Sequence, residues 1–393
     1  MDFQVENHVI RLYYQTFSYM YQFPIHWDFK SSKGSVIKEK WRTIPWHIVQ
    51  FGLITGIGTM SILYVLLRQL ITPSKLKMDH MSVFQLHQLV SVLIIHLGCA
   101  GIGYVLWRDA EIVAAAFNAF TFFTPYIKRR FRREWKEMSR RRTEGSILST
   151  TGIVMMGSLG HTITMWILYK NIDPYWHIFR EVFWHLEDWS VAQICAQQAF
   201  RYIAVILSIT EILRTVSFVG TFGSIIILRL IKTIQTMHES EDYSGVFHVY
   251  RVLRILYRNF DRTISDVAVI TMTCGHGATL ALIWMVVKMS SRLSIPFYSM
   301  LVMGMTYFIV FSVIFLSKSV QVGILSKELA DKLRLIPLEG IYFNKKYCRK
   351  RARAMRPFAI KVGRFFDMDR RTPLTYLSVL MTNAANSVLL IDI

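Results

Sequence analysis

The sequence predicts an all-α integral membrane protein with seven transmembrane helices, a cytoplasmic N-terminus and an extracellular C-terminus. Three observations carry this. Hydrophobic residues make up 53% of the 393 and aromatics 14%, too much for an ordinary soluble domain. Apolar stretches long enough to cross about 30 Å of hydrocarbon alternate with short basic blocks. Most of the 46 Lys and Arg fall in the N-terminal segment and in the connections after the second, fourth and sixth stretches, which places those segments in the cytoplasm. The net charge of +20 therefore reports orientation in a lipid bilayer, and a nucleic-acid partner is not expected.

Residues 1–45 form a cytoplasmic N-terminal segment lying at the membrane surface, with Tyr13, Tyr14, Phe17, Tyr21, Phe23 and Trp27 among six basic residues. The first two spans are 46–67, with Pro45 at its start, and 82–107. The apolar run 112–127 is short and contains Asn118 and Pro125. If it crossed, the nine basic residues between 128 and 142 would lie outside, so it is read as a cytoplasmic continuation of the bundle. The third span is 146–169, followed by a Trp-rich loop with Asp173 and Trp176. The fourth lies within 200–231, the fifth is 264–287 and the sixth 297–316, so residues 46–320 hold six spans. Residues 321–361 are a basic cytoplasmic loop, and 362–393 the seventh span.

That last span has a polar stripe. Thr375, Ser378, Thr382 and Asn386 recur every three or four residues, and Tyr376, Val379, Asn383 and Ser387 follow on the adjoining face. Small polar residues let membrane helices pack closely, and they also line aqueous cavities. In the fourth span Glu211 and Arg214 read as a local ion pair near a helix end. His161, Trp166 and Tyr169 fall in the outer half of the third span.

Cys99, Cys195, Cys274 and Cys348 are scattered, so neither a disulfide framework nor a metal site is expected, and no cofactor. His276, between Gly275 and Gly277, reads as a packing residue. No glycosylation sequon or signal peptide is apparent. The paired acids, His-boxes and nucleophile motifs of membrane enzymes are missing, so an enzyme is not expected. A transporter would show matching halves, and a G-protein-coupled receptor would have its N-terminus outside and an Asp-Arg-Tyr motif.

Near the C-terminus Phe365-Phe366-Asp367-Met368-Asp369-Arg370 precedes Thr375-Tyr376, then Leu377-Ser378-Val379-Leu380-Met381 and Thr382-Asn383. This pattern resembles the close of the insect gustatory receptors, relatives of the insect odorant receptors, where Thr-Tyr, five mostly apolar residues and Gln-Phe follow a Phe and an Asp-Arg segment. Residues 325–333 are similar to the amphipathic anchor helix after that family's sixth span. The resemblance implies a ligand-gated non-selective cation channel: a tetramer of this chain or of several receptor subunits, its seventh helices lining one pore. It places Tyr376, Val379, Thr382 and Asn383 along the pore, with Val379 and Asn383 at its narrowing, and His161, Trp166 and Tyr169 near a pocket for a small-molecule tastant, a bitter compound ahead of a sugar. The expected site is the plasma membrane of a sensory-neuron dendrite. The alternatives are a subunit that signals through a partner without conducting, or a transporter. Thr382-Asn383 stands where the family has Gln-Phe, which puts a purely apolar gate at Asn383 in doubt.

Overall fold

A computed structural model describes residues 3–71, 83–140, 173–177, 190–288, 295–335 and 353–390, with the single residues 290 and 350. The expected third span, and with it His161, Trp166 and Tyr169, lies outside the described residues, as does Cys348.

The described chain is built of long helices. Five of them are long and apolar enough to cross a membrane: 40–71, 85–130, 191–239, 243–288 and 301–335. The chain is a multipass membrane protein. The first is composite, running from α2 (Lys40–His47) through a widened π-helical stretch (Ile48–Thr59) to α3 (Met60–Ile71). Pro45 lies inside α2 rather than at a helix start, because the helix already begins at Lys40. In the π-helical stretch Gln50 is fully buried, its Nε2 donating to the Cys99 carbonyl at 2.8 Å. A Cβ on Gly103 would stand 2.2 Å from that Nε2, so the close crossing with the next helix needs glycine there.

That next helix, α4 (Val83–Arg130), joins the predicted second span to the run 112–127 without a break. Its one non-helical residue is Asp109, with φ −116° and ψ 18°. The kink is held by polar contacts: Arg108 Nε donates to Asp109 at 2.8 Å and Arg108 Nη2 to Asp266 at 2.7 Å, while Thr263 Oγ1 donates to Asp109 at 2.7 Å. At about 1.5 Å per residue its 48 residues span about 70 Å, more than twice the hydrocarbon core. Half of the helix therefore projects beyond the bilayer. The short α5 (Arg132–Arg140) follows it.

Then come α6 (Val191–Glu239), α7 (Tyr243–Lys288) and α8 (Ile295–Leu335). A capping box fixes the start of α6, a boundary the apolar pattern left open: Ser190 Oγ accepts from the Gln193 amide at 3.4 Å and the Gln193 side chain accepts from the Ser190 amide at 2.8 Å. The amphipathic segment 325–333 is not a separate helix but the end of α8. The projecting ends of α4, α6, α7 and α8 share one core that includes Phe131, Ile231, Tyr250 and Leu329.

Residues 3–39 pack onto the long helices. α1 (Phe3–Thr16) buries Val9, Ile10 and Tyr13, and Phe17 just beyond it is buried too; Tyr13 meets Phe218 and Phe222 of α6 with ring centroids 6.0 Å apart. β1 (Ile25–Asp28) and β2 (Lys33–Val36) pair antiparallel, with Ile25 opposite Val36. Asn118 of α4 clasps this hairpin by both of its amide atoms, at 2.8 and 2.7 Å from the Gly34 backbone. The aromatic spacing that suggested a membrane surface marks a buried face.

Candidate functional site

The last helix, α9 (Thr372–Leu390), begins ten residues later than expected. Residues 355–371 are instead an extended strap and a small hairpin. Met355, Phe358, Ile360 and Val362 are buried along the strap. α7 holds its backbone through Tyr250 and Tyr257, whose hydroxyls donate to the Arg356 and Ala359 carbonyls at 2.7 Å each. On the other side Ser326 of α8 accepts from the Phe358 amide at 2.5 Å, and Arg334 Nη2 donates to the Met355 carbonyl at 3.1 Å.

The hairpin pairs β3 (Lys361–Val362) with β4 (Phe366–Asp367), with Val362 opposite Phe366. Its turn requires glycine twice over. Gly363 has φ +59°, and a Cβ there would lie 2.7 Å from Val269 Cγ2 of α7. Ser265 Oγ donates to the Gly363 carbonyl at 2.9 Å, tying the turn to α7. Asp369 and Thr372 then start α9. The carboxylate accepts from the Thr372 amide at 3.0 Å, and the Thr372 hydroxyl accepts from the Asp369 amide at 2.9 Å. The Thr372 hydroxyl donating to the carboxylate at 2.9 Å, and then the Arg371 and Thr372 amides, hold the Asp369 carboxyl below its ordinary pKa.

The two faces of α9 differ. Thr372, Tyr376, Leu380 and Ala384, spaced by four, are buried against the chain. Thr375, Ser378, Thr382 and Asn386 are all exposed, so the whole polar stripe points away from its own subunit. Val379, 46% exposed, lies beside it.

The four residues assigned to a pore are therefore divided. Val379 and Thr382 face outward. Tyr376 is turned inward, because its position falls on the spacing-of-four line that packs on α7; its ring meets the His276 imidazole edge to face at 5.4 Å. Asn383 is half-buried, its side-chain nitrogen 3.3 Å from His276 Nε2. Thr375 of the Thr-Tyr pair is exposed while Tyr376 is buried.

Two polar clusters support α6. Glu211 and Arg214 do form an ion pair, but mid-helix and fully enclosed rather than at a helix end. Glu211 accepts from the Tyr21 hydroxyl at 2.8 Å and from Trp46 Nε1 at 2.9 Å, and Arg214 Nη1 donates to the Tyr21 carbonyl at 2.7 Å. Farther toward the α6 start, Arg201 pairs with the buried Asp173 and lies over the Trp176 ring at 4.8 Å. Tyr175 beside them donates or accepts at Ser208 Oγ at 2.5 Å. Spacing along one helix shows the Glu211–Arg214 pair but not its partners, which stand about 190 and 165 residues away. Among the described residues no group of three or more His, Cys, Asp or Glu gathers to hold a metal.

No family model matches the chain, and no curated protein matches it. Solved structures do. The insect olfactory receptor OR5 from Machilis hrabei in complex with eugenol superposes with a TM-score of 0.54 at 13% identity, covering 99% of both chains. A second structure of the same receptor gives 0.52, again at 13% identity and 99% coverage of both chains. The chain has the fold of this insect chemoreceptor over essentially its full length.

Proposed function

We propose that the chain is a gustatory-type chemoreceptor subunit, with seven spans and its N-terminus inside, whose last helix lines the cation-conducting pore of a tetramer. One observation carries this most directly: the stripe Thr375, Ser378, Thr382 and Asn386 is exposed along one face of a 19-residue helix whose other face packs on the chain. Hydroxyl and amide groups at membrane depth are costly against lipid and tolerated where they line water. Copies of α9 turned toward a common axis would place the stripe on that water, with Val379 as an apolar ring able to gate by dewetting.

The fold of a receptor solved with a small aromatic molecule, and the resemblance of the C-terminal pattern to the gustatory receptors, supply the rest of the reading. A small-molecule tastant, a bitter compound ahead of a sugar, shifts the closed–open equilibrium by favouring the open pocket. The subunit resides in the plasma membrane of a chemosensory dendrite, with itself or related subunits as partners, and it is a receptor rather than an enzyme.

The test is whole-cell recording from cells expressing the chain, alone and with related subunits, during a tastant panel with G-protein signalling blocked. A ligand-evoked cation current altered by Val379→Ala or Thr382→Val is the expected result. Silence from a chain present at the surface, with every partner and tastant, overturns conduction in favour of a subunit that signals through a partner.

A further inference from the structure

α7 presents the His276 imidazole to α9 beside the outward stripe. His276 is flanked by Gly275 and Gly277, and a Cβ on Gly277 would stand 2.9 Å from Ile94 of α4. α4 thus closes against the backbone on one side, while the imidazole reaches α9 on another. There it is bracketed by two residues one heptad apart: the Tyr376 ring at 5.4 Å and the Asn383 side-chain nitrogen at 3.3 Å. Between them Leu380 is fully buried, so the contact is flanked by apolar packing. An Asn383 donor fixes the ring as the neutral tautomer with its proton on Nδ1.

We propose that His276 is a positioning residue: it latches α9 to α7 through Asn383 and thereby sets which face of α9 looks outward. The proposal rests on α9 being the pore helix and extends that reading to how its rotation is controlled. Residues four apart on a helix lie about 40° from one another around its axis. Val379 and Asn383 therefore nearly share a face, and the latch decides which of them leads. While the bond holds, Val379 is outward and the Asn383 amide is withdrawn toward its own subunit, leaving an apolar ring. Released, a modest turn of α9 brings Asn383 outward, and the amides of several copies supply a ring that holds water. The substitution of an amide for the family's apolar residue at 383 then adds a device: a group that is hidden in one state and wetting in the other.

The latch is read by the reactivity of a buried neighbour. In Ala384→Cys the new thiol sits on the inward line, where Ala384 is 5% exposed. Its modification by a water-soluble thiol reagent, resolved by peptide mass spectrometry from the native cysteines, follows the release of α9. His276→Phe keeps a ring against Tyr376 and removes the acceptor, and is expected to speed modification about three- to tenfold, the range of one net hydrogen bond. His276→Gln, whose amide accepts the same bond, is expected to keep the slow rate. Adding Asn383→Leu to His276→Phe should change nothing further.

Equal rates for the histidine and the phenylalanine overturn the latch, as does a glutamine variant as fast as the phenylalanine one. In recordings His276→Phe raises the current without ligand. The two readings separate cleanly. Accelerated modification in a chain that never conducts keeps the latch and removes the channel. An unchanged rate in a chain that conducts does the reverse.

Discussion

α6 and α9 solve opposite problems within one chain. In α6, 61% of the most apolar stretch is buried inside the subunit, against 22% for each of α7 and α8. α6 carries charge where it is most enclosed, and its buried Glu and Arg side chains meet distant segments: Glu211 meets Tyr21 and Trp46, Arg214 meets Tyr21, Arg229 donates to Glu6 at 2.9 Å, and Arg201 meets Asp173. α9 carries no charge between Pro373 and Leu390, buries one line of residues and leaves its polar groups outside. The difference teaches where each helix finds its solvent. α6 is satisfied by its own chain, and α9 is satisfied by whatever lies beyond it. Substitutions in α6 should therefore act on folding, and outward substitutions in α9 on function alone.

The largest effect tests the α6 half. Arg214→Ala leaves Glu211 enclosed without its counter-charge, which costs about 3–5 kcal/mol and should abolish a monodisperse detergent-solubilised peak in size-exclusion chromatography. A well-behaved variant would mean the pair is dispensable and the contrast wrong. Next is the seam between the halves. Gly363→Val combines a positive φ with a clash on Val269, and about 1–3 kcal/mol of destabilisation should appear as a lowered melting temperature.

Smaller still is the α9 start, where Thr372→Val removes the hydroxyl that accepts from the Asp369 amide, for about 1 kcal/mol. Its acidic partner supplies a pH signature. The Asp369 carboxyl is held below its ordinary value, so its contribution is complete above the usual carboxylate range and is lost as pH falls through the lowered value. The melting-temperature gap between wild type and Asp369→Asn should thus be constant near neutrality and close as pH falls below the usual carboxylate range. A gap that widened on acidification would contradict the cap. Smallest in stability is the outward stripe: Thr382→Val and Ser378→Ala should move stability by less than about 0.5 kcal/mol while changing current amplitude or leak. A large loss of stability there would show that the stripe is covered within the subunit.

The sequence made some of this visible. Helix periodicity and charge gave the long membrane helices, the continuation of α4 past its second span and the stripe on α9, because each is a local pattern of residue spacing. It did not show that Tyr376 packs against its own chain. Tyr376 and Val379 look alike in a wheel of polar and apolar positions, and only the line Thr372, Tyr376, Leu380, Ala384 packed on α7 separates them. The N-terminal aromatics misled for a related reason: a face of Val9, Ile10, Tyr13 and Phe17 reads the same whether lipid or Phe218 covers it. Tyr21 with Glu211 and His276 with Asn383 were illegible because nothing in residue spacing links positions 190 and 107 apart.

The strap that delivers α9 has a consequence for how such a fold varies. Tyr250, Tyr257, Arg254 and Arg334 all bind it at main-chain carbonyls, those of Arg356, Ala359, Ala354 and Met355. Every amino acid offers that same acceptor, so substitution at these four strap positions erases no hydrogen bond while the path stays fixed. At Ala354 and Arg356, which are exposed, side-chain identity is loosely constrained while backbone course is not; Met355 is held by its burial as well. The path of the strap is thus written in the residues of α7 and α8 that reach for it more than in its own side chains.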